Sequence, residues 1–255
     1  MVACNLVGGL GNYLFQIAAS YALALRNDDK VIYDEQKAYS PHNKLSFYKN
    51  NIFRKIPFGR TNFESIYTEP FFNYDPIIYK KNLLLSGYFQ SEKYFINERK
   101  QILDLFSIDE HSMDFIRQKY KKIDFQKTCS LHVRRGDYLL YPNIHPTCSL
   151  SYYNSALQMI DSENLIVFSD DITWCVENIN IKDKKVYFAT ENNDYIDLWL
   201  TSLCKNNIIA NSSFSWWGAW LNINENKKII SPKKWFGSAV SHNTEDLIPK
   251  EWIKI

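Results

Sequence analysis

Two arginines stand side by side in Leu131-His132-Val133-Arg134-Arg135-Gly136-Asp137-Tyr138, at the end of the apolar run Cys129-Ser130-Leu131. Seven of the 30 basic residues are Arg, so a Lys-rich chain has placed adjacent guanidiniums where Lys would serve poorly. A guanidinium presents a planar fork of donors, and bidentate recognition of phosphate oxygens is the chemistry that needs such a fork. Taken alone, an Arg-Arg pair reads as a strand end with solvated charges. Its company changes that reading, because polar clusters recur at the ends of the other predicted strands.

Those clusters are Ser169-Asp170-Asp171, Thr190-Glu191 and Asn211-Ser212-Ser213-Phe214-Ser215. Asp170-Asp171 fits a carboxylate pair holding a pyrophosphate through a divalent ion. It fits equally the N-cap and first turn of a helix, which acidic residues favour. With two Arg to neutralise a diphosphate, the metal is the less needed of the two. The serines at 212, 213 and 215 could bind phosphate with orphan helix N–H groups, or simply cap the helix. Trp216-Trp217-Gly218-Ala219-Trp220 reads as helix core rather than a sugar platform. Gly9-x-Gly11 between a strand and a helix offers N–H groups to an anion. It could also be a tight turn with no ligand, since the third Gly of a dinucleotide fingerprint falls on Leu14. P-loop, serine-hydrolase elbow and His-Glu-x-x-His patterns are missing from the sequence.

At 255 residues, with 45% hydrophobic and 23% charged residues, the chain suits a globular protein of one large or two small domains. A net charge of +2, with Lys pairs dispersed along the chain, gives no argument for nucleic acid. The five cysteines are odd in number and widely spaced, without Cys-x-x-Cys. That pattern predicts reduced thiols in a cytoplasmic protein and no structural zinc. No window approaches the apolar length of a membrane span and no signal peptide is recognised.

The elements that must position these groups follow from periodicity. A strand is predicted over 2–7, then the turn Gly8-Gly9-Leu10-Gly11 and a helix over 12–26, with Leu14, Ile17, Ala18, Tyr21, Ala22 and Leu25 on its apolar face. Short strands are predicted at 31–33 and 83–85, and a helix from Ser91, as N-cap, to Phe106. Residues 36–80 carry no placeable element. Thereafter strands at 128–133, 164–169, 185–189, 207–210 and 227–231 alternate with helices at 150–161, 171–179, 193–205 and 213–222. Strict β-α alternation predicts a parallel, doubly wound sheet, in which ligands bind beyond the carboxyl ends of the strands. All the polar clusters fall at those ends.

Three segments, 132–138, Phe168-Ser169-Asp170-Asp171 and 208–221, resemble the signature motifs of the α-1,2-fucosyltransferases. Gly8-Gly9-Leu10-Gly11-Asn12 and Gly87-Tyr88-Phe89-Gln90-Ser91-Glu92-Lys93-Tyr94-Phe95 resemble that family too, so the likeness runs from residue 8 to about 235. The resemblance implies an α/β fold of the GT-B type with two facing Rossmann-like domains. It implies inverting transfer of L-fucose from GDP-fucose to the 2-hydroxyl of a terminal galactose, with no cofactor and no metal. The expected domains are 1–106 on the acceptor side, a connecting helix region at 107–127, a GDP-fucose domain at 128–240 and a tail at 241–255 packing back.

The resemblance places Arg134 on the β-phosphate of GDP-fucose, and His132 and an acid of Ser169-Asp170-Asp171 near the guanine. Asn12, beside Gly11, would face GDP-fucose across the cleft. Asn211, Ser212, Ser213, Phe214 and Ser215 complete the expected nucleotide contacts. Inversion needs a base for the acceptor hydroxyl, and the candidates are Asp137, His145 and Glu92. Asp137 is preferred, although it could instead brace Arg134 or Arg135. Arg135, one residue along an extended segment, is expected to point away from Arg134 and pair with a carboxylate. Two positions depart from the family: Tyr13 where Gln is usual, and Asn206 near a usual His. The expected partners are GDP-fucose and a galactose-terminated oligosaccharide or lipid-linked glycan, compatible with peripheral membrane association. Competing readings are a same-fold transferase using another nucleotide sugar and a non-catalytic nucleotide- or sugar-binding module.

Overall fold

The computed structural model describes residues 1–60, 62–179 and 181–255. They form two compact units, Met1–Asp109 with His242–Pro249, and Glu110–Ser241 with Lys250–Ile255.

The first unit contains β1 (Val2–Cys4), α1 (Leu10–Arg26), α2 (Leu45–Tyr48), β2 (Ser65–Thr68), β3 (Leu83–Ser86) and α3 (Arg99–Leu105). Its parallel sheet has the order β1-β3-β2. Helix α1 starts two residues before the predicted Asn12, because the Gly9 carbonyl already accepts from the N–H groups of Asn12 and Tyr13. It ends where Asp28 turns left-handed at φ 49, and Arg26 in its last turn suits the helix dipole. The helix buries more than the predicted stripe. Tyr13, Phe15 and Ala19 are fully buried, while Leu25, expected inside, is 42% exposed.

The predicted helix over 91–106 is broken. Ser91 does cap, but what it caps is a short 3₁₀ turn, Glu92–Tyr94, and a second such turn precedes α3. Phe95 lies between the turns with φ −145 and fully buried, so taking its ring into the core interrupts the helix. In the stretch left blank at 36–80, Tyr48 and Phe53 meet Tyr13 of α1 at ring distances of 6.5 and 6.4 Å. Aromatic packing organises the part around Tyr48 and Phe53, and β2 further on is set by its pairing with β3.

The second unit runs α4 (Glu110–Lys119), β4 (Thr128–Val133), α5 (Leu150–Gln158), β5 (Asn164–Ser169), α6 (Ile172–Asn178), β6 (Lys185–Phe188), α7 (Asp194–Leu203), β7 (Asn206–Ile208), α8 (Ser213–Trp220), β8 (Ile229–Ser231) and β9 (Ile253–Lys254). Its strands are all parallel, in the order β6-β5-β4-β7-β8-β9. The chain winds outward from β4 to β6, then returns to build β7, β8 and β9 on the other side. The winding therefore reverses between β4 and β7, the place where such sheets open a ligand crevice. Every residue of β4 is buried, as a strand covered on both faces must be. Trp216, Trp217 and Trp220 of α8 are at most 2% exposed, which makes this helix core and not a sugar platform.

The expected domain limits change in two places. The 107–127 stretch is not a separate connector: α4 belongs to the second unit, where Lys119 donates to Thr190 O and the Asn192 side chain beyond β6. The tail also divides. His242–Pro249 clusters with the first unit, where His242 stacks on Phe72 at 4.8 Å and Asp246 pairs with Lys93. Residues 253–254 then add β9 to the second sheet, with Ile253 opposite Ile230.

Candidate functional site

The carboxyl end of β4 carries a lattice of charges. Arg134 donates to Asp137 at 2.6 Å and to Asp170, beyond β5, at 3.1 Å. The Arg135 backbone N–H donates to the other oxygen of Asp170 at 2.9 Å. Its side chain leaves the opposite way, as the extended spacing predicted. There Arg135 Nε meets Asp171 at 2.9 Å and the guanidinium lies 4.1 Å from the Trp174 ring. Gly136 makes this closeness achievable, since a Cβ there would sit 2.5 Å from an Asp170 oxygen.

Asp171 is the N-cap of α6, accepting from Trp174 N–H at 3.1 Å, and its own N–H donates to the Ser169 hydroxyl at 2.9 Å. The Arg135 and Trp174 bonds hold its carboxyl below the ordinary value. The Ser-Asp-Asp segment thus does capping and arginine-bracing work together. Among the described residues, no three His, Cys, Asp or Glu side chains are grouped to hold a metal ion.

His132, on β4, packs its ring 5.4 Å from Phe214 on α8, so the pair spans the point where the winding reverses. Burial, with the Arg134 cation adding to it, pulls the His132 imidazole down to about 3. Among the described residues its buried Nδ1 has no hydrogen-bond partner, an unusual state for a ring nitrogen. His145 lies in a stack, 4.9 Å from Tyr138 and 5.9 Å from Phe236. Burial lowers its pKa as well, against the pull of Asp137. Tyr138 closes the stack on Arg134, whose guanidinium lies 5.4 Å from the ring. Sequence reasoning missed Tyr138, Trp174 and Gly136 as site-forming residues, although all three lie in or beside the motifs.

Two assignments on the β7–α8 turn need correction. Asn211 is not turned toward a ligand: its amide donates to Pro146 O and Trp235 O, each at 2.9 Å, and its side-chain oxygen accepts from Cys148. Its backbone carbonyl accepts from the Tyr138 hydroxyl. Asn211 therefore ties the Arg134 loop to the β7 loop from within. Ser215 is 1% exposed and its hydroxyl is directed at the carbonyls of Ala210 and Ser212, back into the turn before the helix. Ser212 is the N-cap residue, and half-buried Ser213 and Phe214 open the helix beside His132. Asp137, preferred as base, is instead engaged by Arg134, the bracing role that was its alternative.

In the first unit the Gly-rich turn serves one side chain. Gly8 has φ 101, and a Cβ on it would lie 2.3 Å from the Asn12 amide nitrogen. Asn12 Oδ1 accepts from Gln90 Nε2 at 2.9 Å, which joins the turn after β1 to the turn after β3. Gln16 stitches the same two turns, exchanging bonds with Val7 and donating to Gly87 O. Gly11 is buried in the first turn of α1, and Glu92 opens the 3₁₀ turn after Ser91. Glu92 thus belongs to the first unit, whereas Asp137 and His145 belong to the second.

Against known proteins, the family described as glycosyl transferase family 11 matches residues 1–255. An Escherichia coli O-antigen biosynthesis glycosyltransferase, WbnK, is 32% identical, covering 100% of both chains. An Escherichia coli alpha-1,2-colitosyltransferase is 30% identical, over 100% of this chain and 99% of that one. Rat galactoside alpha-(1,2)-fucosyltransferase 2 is 27% identical over 87% of this chain and 67% of its own. Among solved structures, the fucosyltransferase NodZ from Bradyrhizobium aligns at TM-score 0.54 and 13% identity, over 85% of this chain and 90% of that one. That likeness shows the fold, α/β of the GT-B type with parallel sheets. With a family match over its whole length and full-length relatives at 30% identity or more, the chain belongs to glycosyltransferase family 11.

Proposed function

We propose that the protein is an inverting, metal-independent transferase moving L-fucose from GDP-fucose to the 2-hydroxyl of a terminal galactose in a cell-surface glycan. The observation that carries this reading is Arg134. Its guanidinium stands at the carboxyl end of the central strand, braced by Asp137 and Asp170 and backed by Tyr138. The bond from fucose C1 to the β-phosphate oxygen breaks with its electron pair, and Arg134 meets the charge that gathers on GDP. The acceptor oxygen forms the new bond from the opposite face and releases its proton. His145 is our choice for that proton, because burial keeps its imidazole in the neutral, accepting form. Asn12, in the first unit, contributes to transfer through its oriented amide.

A second reading has its own support in the full-length likeness to a colitosyltransferase. Colitose is L-fucose without the 3-hydroxyl, so the chemistry at C1 would be unchanged. A pocket that hydrogen-bonds the 3-hydroxyl rejects the deoxy sugar strongly, whereas a pocket shaped for the deoxy sugar rejects fucose weakly. The proposed reaction runs in the cytoplasm, with the acceptor free or lipid-linked. Among the described residues no helix is long and apolar enough to cross a membrane.

The deciding experiment offers purified protein GDP-fucose or GDP-colitose with a galactoside, with and without excess EDTA, and reads the linkage by NMR. Transfer of fucose in α-1,2 linkage that survives EDTA is expected. A higher kcat/KM with GDP-colitose than with GDP-fucose would establish the second reading. GDP binding without transfer from either sugar would leave a binding module. Activity lost to EDTA and restored by Mg²⁺ or Mn²⁺ would make Asp170-Asp171 a metal site.

A further inference from the structure

At the carboxyl edge of the first unit's sheet, a carboxylate that no motif includes sits inside a motif loop. Glu69 follows β2, and its N–H continues the pairing with β3 by donating to Ser86 O at 2.8 Å. Its two carboxylate oxygens accept from consecutive backbone amides, Tyr88 N–H at 2.7 Å and Phe89 N–H at 3.0 Å. Two successive N–H groups aimed at one anion make a nest, and here the anion is internal. The turn is shaped around it. A Cβ on Gly87 would lie 2.4 Å from the Glu69 side chain, so any other residue here would have to push that side chain aside. Phe89 holds φ 52, a conformation that a bulky residue adopts only when its surroundings impose it.

What the turn delivers is the next residue. Gln90, 8% exposed, donates to Asn12 Oδ1 at 2.9 Å, and the Asn12 amide is wedged against Gly8. A continuous path therefore runs from Glu69 through two amides to Gln90 and on to Asn12, all at one edge of one sheet. We propose that Glu69 is a positioning residue for the transfer reaction, its carboxylate fixing the Gly87–Phe89 turn so that Gln90 holds the Asn12 amide in its working orientation. This rests on the proposed function, in which Asn12 contributes to transfer.

The surroundings of Glu69 favour a functional role over a stabilising one. Burial pushes its carboxyl up from its ordinary value, and the two N–H bonds only partly oppose that. The titratable groups that feel its charge are the Cys4 thiol and the Tyr67 and Tyr94 phenols, each raised first by burial and so uncharged. A carboxyl raised on folding binds protons more readily in the folded chain, so its ionised form opposes folding rather than supporting it. Holding a destabilising charge to impose a strained turn is the pattern expected where geometry serves chemistry.

The test compares wild type with Glu69→Gln, Gln90→Ala and the double variant. Glu69→Gln keeps size but turns an NH₂ toward one of the two N–H donors, so the turn should relax. Turnover should fall about 10- to 100-fold, the usual consequence of a misplacement near 1 Å. GDP affinity by calorimetry should not change, and the melting temperature should stay within about 3 °C of wild type. Gln90→Ala should reproduce the loss, and the double variant should be no worse than the poorer single one, because both act through Asn12. Hydrogen-exchange protection at Tyr88 and Phe89, which needs no substrate, should drop in Glu69→Gln. Wild-type turnover in Glu69→Gln, additive losses in the double variant, or activity that merely tracks a collapsed melting temperature would overturn the proposal. A wild-type protein inert with both sugar nucleotides would sink the function reading alone. Unchanged protection at Tyr88 and Phe89 would then sink this one separately.

Discussion

The two units prepare their strand ends with opposite chemistry. At the carboxyl edge of the second unit's sheet the work is done by charges: Arg134 between Asp137 and Asp170, and Arg135 against Asp171. At the equivalent edge of the first unit it is done by amides, with Gln16 bridging Val7 and Gly87, Gln90 bridging to Asn12, and the single Glu69 carboxylate held by backbone N–H groups rather than by a cation. The difference follows from what each arrangement must do without a ligand. Under the proposed function, a guanidinium that is to receive a diphosphate has to be neutralised until then, and carboxylates that a phosphate can displace are suitable companions. Amide networks need no such counter-ions and hold their shape whether or not a sugar is present. The second unit should therefore respond to lost charge geometry and to acid, and the first to lost hydrogen-bond directions.

The largest effect should come from removing the fork while keeping the charge. Arg134→Lys leaves a cation but cannot reach Asp137, Asp170 and a phosphate together. By analogy with losing one preorganised donor, turnover should fall about 10²–10³-fold, roughly 2.7–4 kcal/mol of transition-state stabilisation. The deficit should appear in kcat as well as in the KM for the sugar nucleotide. Steady-state kinetics decide it: a fully active Arg134→Lys enzyme would mean that the charged edge is only a scaffold.

Acid is the next way to part the two units. An imidazole in the unfolded chain protonates below about 6.5, whereas buried His132 does so only near about 3. Its contribution is therefore complete above pH 6.5 and declines as pH falls toward 3, by up to roughly 1.4 kcal/mol per pH unit. Urea midpoints at pH 7, 6 and 5 should fall more steeply for wild type than for His132→Gln. Parallel curves would show that His132 titrates normally and that the orphaned Nδ1 finds a proton or a partner.

The same contrast governs what could be read from sequence. In the second unit, strand and helix positions from 128 to 222 fall within a few residues of their predicted places, because strict β-α alternation gives each element a local pattern of its own. Strand β9 escaped notice, since two residues at a chain end have no periodicity to show. In the first unit Phe95 interrupts an apparently good helix, and aromatic packing shapes the part around Tyr48 and Phe53, so distant residues decide local form. The candidate site divides similarly. Residue type revealed Arg134, Arg135, Asp170 and Asp171, because guanidinium and carboxylate chemistry is explicit in the letters. Which way Asn211 and Ser215 turn was not legible, because an amide or hydroxyl serves a loop as readily as a ligand. Glu69 gave no signal at all, as its amide partners lie 19 and 20 positions away.

Arg135 supplies the smallest and most selective test of the charged edge. It shares charge, motif and strand end with Arg134, yet its side chain is directed to Asp171 and the Trp174 ring. Lys could keep an ion pair with Asp171 but not the planar stack at 4.1 Å, nor the directed Nε bond. Arg135→Lys should therefore loosen the start of α6, where Asp171 is the N-cap, and lower the melting temperature by about 2–4 °C. Turnover should remain within about twofold, because the stack and the Nε bond are the same in the ground state and the transition state. Differential scanning fluorimetry and kcat on the same preparation separate the two quantities. A variant that melts like wild type but turns over about tenfold more slowly would move Arg135 into the phosphate-binding set, and the division of labour between the two arginines would have to be redrawn.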